Sequence, residues 1–97
     1  MSKTFKLGHI VVTKEVDELM KQSPMFSRFV SFSLGRYANC DWGDSSDEDK
    51  AANDAAIDSG ERIFASYGHE KSKKHKKIWI ITEADRKVTT ILFPDQY

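Results

Sequence analysis

The stretch Ile78-Trp79-Ile80-Ile81 constrains this chain more than any other feature. It is apolar at every position, four residues long, and bounded by lysines before it and by Thr82-Glu83-Ala84-Asp85-Arg86 after it. Far too short to span a membrane, it reads as a strand that must be covered on both faces. Such a strand needs neighbours, and two runs of strand length supply them: Arg62 to Tyr67 before it and Val88 to Phe93 after it. The connections, Gly68 to Lys76 and Glu83 to Lys87, are short enough for antiparallel hairpins. The C-terminal part is therefore expected to form a β-meander. Something further has to shield its second face, a dimer partner being one candidate.

The N-terminal part carries a different period. Phe5 to Val12 is rich enough in β-branched and aromatic residues for a short strand or an extended entry. Thr13 is placed to cap a helix from Lys14 to Gln22, with Val16, Leu19 and Met20 on one face. Ser23-Pro24 restarts the chain with a cap and a proline at the first helical position. Phe26, Phe29, Val30, Leu34 and Tyr37 then recur at helical spacing, a core-facing stripe widened by Met25 and Phe32. Turn formers surround Trp42 between Asn39 and Asp44. Ser45-x-x-Glu48 and Ser46-x-x-Asp49 have capping-box spacing and open a third helix to about Asp58, ended by Ser59-Gly60. The fold class that follows is α+β. One domain spans residues 1–97, with N-terminal helices on a three- to four-stranded antiparallel sheet, because 97 residues close one core and not two.

Eleven aromatic residues and 39% apolar content provide that core and argue against disorder. A single cysteine, Cys40, excludes an internal disulfide and fits a reducing compartment. With no apolar run near the N-terminus, no secretory signal is expected and the location expected is the cytoplasm.

Net charge is zero, with 15 basic and 15 acidic residues, but the charges are segregated. Asp41 to Asp58 holds seven acids (Asp41, Asp44, Asp47, Glu48, Asp49, Asp54, Asp58) against Lys50 alone, a local net of −6. His69 to Lys77 holds five lysines and Glu70, a local net of +4. Asp47, Asp54 and Asp58 are seven and four apart, so they share one helix face, with Asp44 and Glu48 nearby. A surface of that kind can mimic the phosphates of a nucleic acid. Helix-dipole preference accounts for Asp47, Glu48 and Asp49 but not for Asp54 or Asp58, which lie toward the wrong end. The basic tip, with Lys71, Lys73, Lys74 and Lys76, is the candidate nucleic-acid contact; a solvated loop is the plainer reading. His69, His75 and Cys40 lack the spacing of a metal site, so neither metal nor cofactor is expected. Glu83 and Asp85 pair carboxylates at a hairpin turn, where Asp85 is expected to accept backbone N–H groups. Neither a nucleophile elbow nor a glycine-rich phosphate loop is present, and nothing in the residues demands an enzyme.

Several segments of the second half resemble short bacterial proteins of mobile elements, a plasmid and prophage family without an assigned activity. They are Asp41-Trp42-Gly43-Asp44, Asp49, Asn53, Gly60-x-Arg62-Ile63, Tyr67, Lys77 through Arg86, Thr89-Thr90-Ile91-Leu92 and Pro94-x-x-Tyr97. The resemblance implies a setting in which small proteins counter host defence, and anti-CRISPR proteins that act as acidic decoys of DNA belong to it. The expected function is thus an anti-CRISPR-type inhibitor whose Asp41, Asp44, Asp47, Glu48, Asp54 and Asp58 cover a DNA-binding surface of a CRISPR effector complex. Trp42 or a neighbouring exposed aromatic would be the buried anchor. Helices followed by an antiparallel sheet also resemble RelE/ParE-type ribonuclease toxins, in which case Arg62, Lys77, Arg86 and Tyr97 could serve RNA cleavage. A nucleic-acid-binding accessory protein using the lysine tip is the remaining alternative. The chain itself could be monomer or homodimer.

Overall fold

The chain runs from a short strand through three helices to three further strands, following the switch in its sequence from helical hydrophobic spacing to strand-length apolar runs. The computed structural model describes residues 4–68 and 77–97. Strand β1 (His9–Val12) leads into α1 (Lys14–Gln22), α2 (Pro24–Ala38) and α3 (Asp47–Ser59). Strands β2 (Ile63–Tyr67), β3 (Ile78–Thr82) and β4 (Val88–Leu92) follow, and a 3₁₀ turn, Pro94–Gln96, closes the chain. The three C-terminal strands form the expected antiparallel meander, within a residue of the boundaries read from sequence. The sheet as a whole is mixed, in the order β1-β4-β3-β2, because β1 joins β4 in parallel. Of the run from Phe5 to Val12, only the last four residues are strand. Gly8, at φ 66°, turns the chain, and a Cβ there would fall 2.3 Å from the Lys87 carbonyl oxygen.

The caps act as the residue types suggest, with one exception. Ser23 Oγ accepts from Phe26 N at 3.1 Å, and Pro24 occupies the first turn of α2. Ser46, of the two serines considered, caps α3 through Asp49 N at 3.1 Å. Gly60 ends α3 in the left-handed region at φ 77°. Thr13 is the exception: it stands at the N-cap of α1 but makes no cap bond. Its hydroxyl donates instead to Gln96 Oε1 at 2.7 Å, and Gln96 also bonds Glu15, so the hydroxyl docks the C-terminal turn.

Val16, Phe26, Val30 and Tyr37 from the helices meet Ile63, Ala65, Tyr67, Ile78, Ile80 and Ile91 from one face of the sheet. Phe5 joins this core edge-on to Tyr37, with ring centroids 5.4 Å apart. A polar relay runs through it. Thr89 Oγ1 donates to the Leu7 carbonyl at 2.7 Å, which leaves its lone pairs for Thr82 Oγ1 at 2.7 Å. The Thr82 proton is then committed to Thr89, and Tyr37 OH donates to Thr82 at 2.7 Å. On the opposite face of the sheet, Phe64 and Tyr97 stand edge-on to Trp79 at 4.8 and 5.7 Å. Ile81 and Leu92, on that face, are 3% and 6% exposed, so the cover that the apolar run of β3 requires comes largely from the chain's own aromatics.

Candidate functional site

The acidic region begins in a loop that seals the free edge of β2. Cys40 and Gly43, at φ 63° and 64°, reverse the chain twice. Tyr67 OH donates to the Asp41 carbonyl at 2.6 Å. Gly43 forms a parallel bridge with Ser66, and a Cβ on Gly43 would lie 2.5 Å from the Tyr67 ring, so only glycine fits. Along the outer side of β2, each outward backbone group finds a partner from this loop or from α3. Asp44 N donates to Ser66 O at 2.8 Å, Ser66 N to Ser45 Oγ at 3.1 Å, and Gly68 N to Asp44 Oδ2 at 2.6 Å. Asn53 of α3 completes the row, donating to Phe64 O at 2.6 Å and accepting from Phe64 N at 3.1 Å.

The six acids singled out from the sequence therefore fall into distinct situations. Asp41 is ion-paired with Arg36 at 2.8 Å, and its Oδ1 accepts from Gly43 N at 3.2 Å. The hydrogen bond from Arg36 is the main reason its carboxyl titrates below the usual range; in return the Arg36 guanidinium is raised. Arg36 also lies over the Tyr67 ring, 5.4 Å from its centroid. Asp41 is thus neutralised within the chain and drops out of the outward negative surface. Asp44 Oδ2 accepts from Gly68 N at 2.6 Å, and Asp54 Oδ1 accepts from Trp42 Nε1 at 2.9 Å. Asp47, Glu48 and Asp58 are exposed on α3, as is Asp49. Asp47, Asp54 and Asp58 do line one flank of that helix, over about 16 Å of axial rise.

Trp42 is not an exposed anchor. It is 3% exposed, packed edge-on to Tyr37 with ring centroids 5.6 Å apart, and its indole N–H is held by Asp54. A tryptophan between turn formers looks accessible in sequence; here the two left-handed residues fold the loop back and press the ring into the core. The large apolar side chains that do reach the surface are Phe32 (69%), Tyr97 (68%), Met25 (60%), Ile10 and Val11. Periodicity places Phe32 and Met25 in the widened stripe of α2, but seven residues apart they share its outward side.

The residues considered for RNA cleavage are only partly brought together. Arg62 Nη1 donates to Tyr97 OH at 2.7 Å, its guanidinium stacks 5.1 Å from that ring, and its Nε lies 3.8 Å from Glu83 Oε1. Arg86 is nearby but fully engaged with backbone carbonyls: Ala56 O at 2.8 Å, Glu61 O at 2.7 Å and Glu83 O at 3.2 Å. Lys77 precedes β3 at the other end of the β2–β3 ladder from Arg62. Asp85 accepts from Lys87 N at 3.0 Å, the turn-forming role expected of it. Lys71, Lys73, Lys74, Lys76, His69 and His75 lie outside the described residues. Among the described residues no group of three His, Cys, Asp or Glu side chains is placed to hold a metal ion, and no helix is long and apolar enough to cross a membrane.

No family model, curated protein or solved structure matches this chain. Many residues of the second half that stand out in the sequence are accounted for by architecture. Trp42, Gly43, Asp44, Asn53, Tyr67 and Arg86 all close the edge of β2 or fasten α3 to the sheet. Sequence reasoning missed Asn53 and Arg86 in these roles, because nothing in composition or period marks a side chain that substitutes for a strand or a helix cap.

Proposed function

We propose that this chain is an acidic decoy of anti-CRISPR type, carried by a mobile element, that occupies a DNA-binding surface of a CRISPR effector complex. The observation that carries the reading is the flank of Asp47, Asp54 and Asp58. Their axial steps, roughly 10 and 6 Å, correspond to about three and two phosphate spacings along one strand of duplex DNA. Asp41 is paired to Arg36, and the stretch from Asp44 to Asp58 holds six acidic residues in its sequence against Lys50. The helix that presents them is held rigidly by Asn53 and Arg86, so the charges are pre-positioned and association avoids an ordering cost.

The test is binding to a purified effector complex, measured across ionic strength. Asp47→Lys with Asp58→Lys should weaken binding at least tenfold and flatten its salt dependence. Asp54→Asn removes charge while keeping an oxygen for the Trp42 indole, so it separates loss of charge from loss of fold. Unchanged affinity in these variants, with native circular dichroism, would sink the decoy reading. The convergence of Arg62, Tyr97 and Glu83 favours the ribonuclease alternative in one respect. That reading requires growth arrest on expression of the chain alone, abolished by Arg62→Ala.

A further inference from the structure

The two edges of the sheet are finished differently. Along β2 the outward N–H groups of Phe64, Ser66 and Gly68 are taken by Asn53, Ser45 and Asp44. At the other edge, among the described residues, β1 has a neighbouring strand on one side only. His9 N and Thr13 N donate to Lys87 O and Ile91 O at 2.8 and 3.1 Å. Because alternate residues of a parallel strand face its neighbour, His9 and Val11 turn their backbone groups to β4. The N–H and C=O groups of Ile10 and Val12 point away from the sheet. This edge is short, at four residues, but it carries none of the other devices that usually blunt one. It has no proline, no Lys, Arg, Asp or Glu within His9–Val12, and an unbroken register with β4. Ile10 and Val11 are 46% and 45% exposed, on opposite faces.

We propose that β1 pairs with β1 of a second copy of this chain, antiparallel about a two-fold axis through Val11, to give a continuous eight-stranded sheet. The register follows from which groups are available. Hydrogen-bonded pairs in an antiparallel ladder form between outward-facing residues, so engaging all of them sets Ile10 opposite Val12 of the second copy, and the reverse. Val11 then meets its own symmetry mate in a non-hydrogen-bonded pair, with Cα atoms about 4.5 Å apart. Apolar side chains meet on both faces, and within the paired strands no charged residue stands opposite its like. The two-fold is perpendicular to the sheet, so both sets of helices lie on one face. The charge distribution favours the same arrangement. Each α3 lies along β2, so the two acidic flanks fall at opposite ends, seven strand spacings or about 34 Å apart, and do not oppose the pairing. A four-residue strand pairing is small beside the roughly 800 Å² per partner of a stable interface, so the dimer is reversible.

Sedimentation equilibrium of the full chain from micromolar to a few hundred micromolar tests this. The wild type should pass from monomer to dimer over that range. Val11→Arg, which places like charges on the axis at an already exposed site, should remain monomeric with an unchanged circular dichroism spectrum. In a Cys40→Ser background, Val11→Cys should oxidise to a covalent dimer, because the paired Cα separation lies within disulfide range. A wild type that stays monomeric throughout overturns the proposal. So does a dimer that persists in Val11→Arg, or one that fails to cross-link through Val11→Cys. None of these readouts depends on the decoy reading.

Discussion

Asn53 stands in for a missing strand. Its carboxamide gives β2 one donor and one acceptor at Phe64, the pair a neighbouring strand would supply, and it is 4% exposed. Asn53→Ala leaves both Phe64 backbone groups unpaired and should cost about 2–3 kcal/mol in urea unfolding, seen as a lower midpoint at unchanged m. Thr82→Val keeps the shape of the side chain and cuts the hydroxyl relay at its middle, leaving Tyr37 OH with only the longer bond to the Ile63 carbonyl at 3.3 Å and one acceptor site on Thr89 unfilled. A loss of roughly 1–3 kcal/mol is expected, larger than the replacement of one methyl-sized group would suggest. Ser33 behaves in the opposite sense. Its hydroxyl is buried in α2 without a hydrogen-bond partner. Ser33→Ala removes that penalty and improves helix propensity, so stability should rise by about 0.5–1 kcal/mol, and a fall in the urea midpoint would contradict the unpaired hydroxyl.

At the scale of elements, α3 is the helix whose own sequence supports it least at its end. Three acids favour its N-terminus, but its last turn holds Asp58 and no basic residue, against the helix dipole. The missing cation comes from the β3–β4 hairpin, where Arg86, itself at φ 61°, reaches the Ala56 and Glu61 carbonyls. Arg86→Ala should therefore destabilise the protein by about 2–4 kcal/mol, and Arg86→Lys should recover only part of it, because an ammonium cannot bridge three carbonyls as a planar fork does. Hydrogen exchange should place the earliest opening in the last turn of α3. Such long-range fastenings explain what could be read from the sequence and what could not. The meander was legible because the pattern of Ile78 to Ile81 and the two polar turns are local signals. α2 and α3 were legible through period and caps. The parallel seat of β1 was not, since it depends on Val88 to Ile91, some eighty residues away. At the candidate site the charge segregation and the shared flank of Asp47, Asp54 and Asp58 were visible. The burial of Trp42 and the pairing of Asp41 were not, because both depend on how one loop folds back onto α2 and β2.

For the molecule as a whole, these same contacts set a pH range with unequal ends. Tyr37 and Tyr67 are both fully buried, and burial is the main reason their phenols are pushed well above the ordinary tyrosine range; the Asp41 charge adds to it at Tyr67. In the unfolded chain both ionise near pH 10. Between that pH and their folded-state values, the native protein binds more protons than the unfolded one. Stability is therefore fully present below about pH 10 and falls above it, by up to about 1.4 kcal/mol per pH unit for each phenol. Two phenols acting together would exhaust a typical domain stability of about 5–15 kcal/mol within a few pH units. At the acid end the sign reverses. The carboxyl of Asp41 is depressed by Arg36, so its contribution is present above the usual aspartate range and is lost as pH falls through its lower folded value. That contribution is small, because the ion pair is half exposed and screened. The protein should thus resist acid better than its tyrosines allow it to resist alkali. Urea unfolding from pH 7 to 12 should show a plateau followed by a two-proton slope, reduced to one proton in Tyr67→Phe. Ionisation of the two phenols, read from tyrosinate absorbance, should coincide with the loss of circular dichroism; if it occurs while the native spectrum persists, neither hydroxyl is held as described.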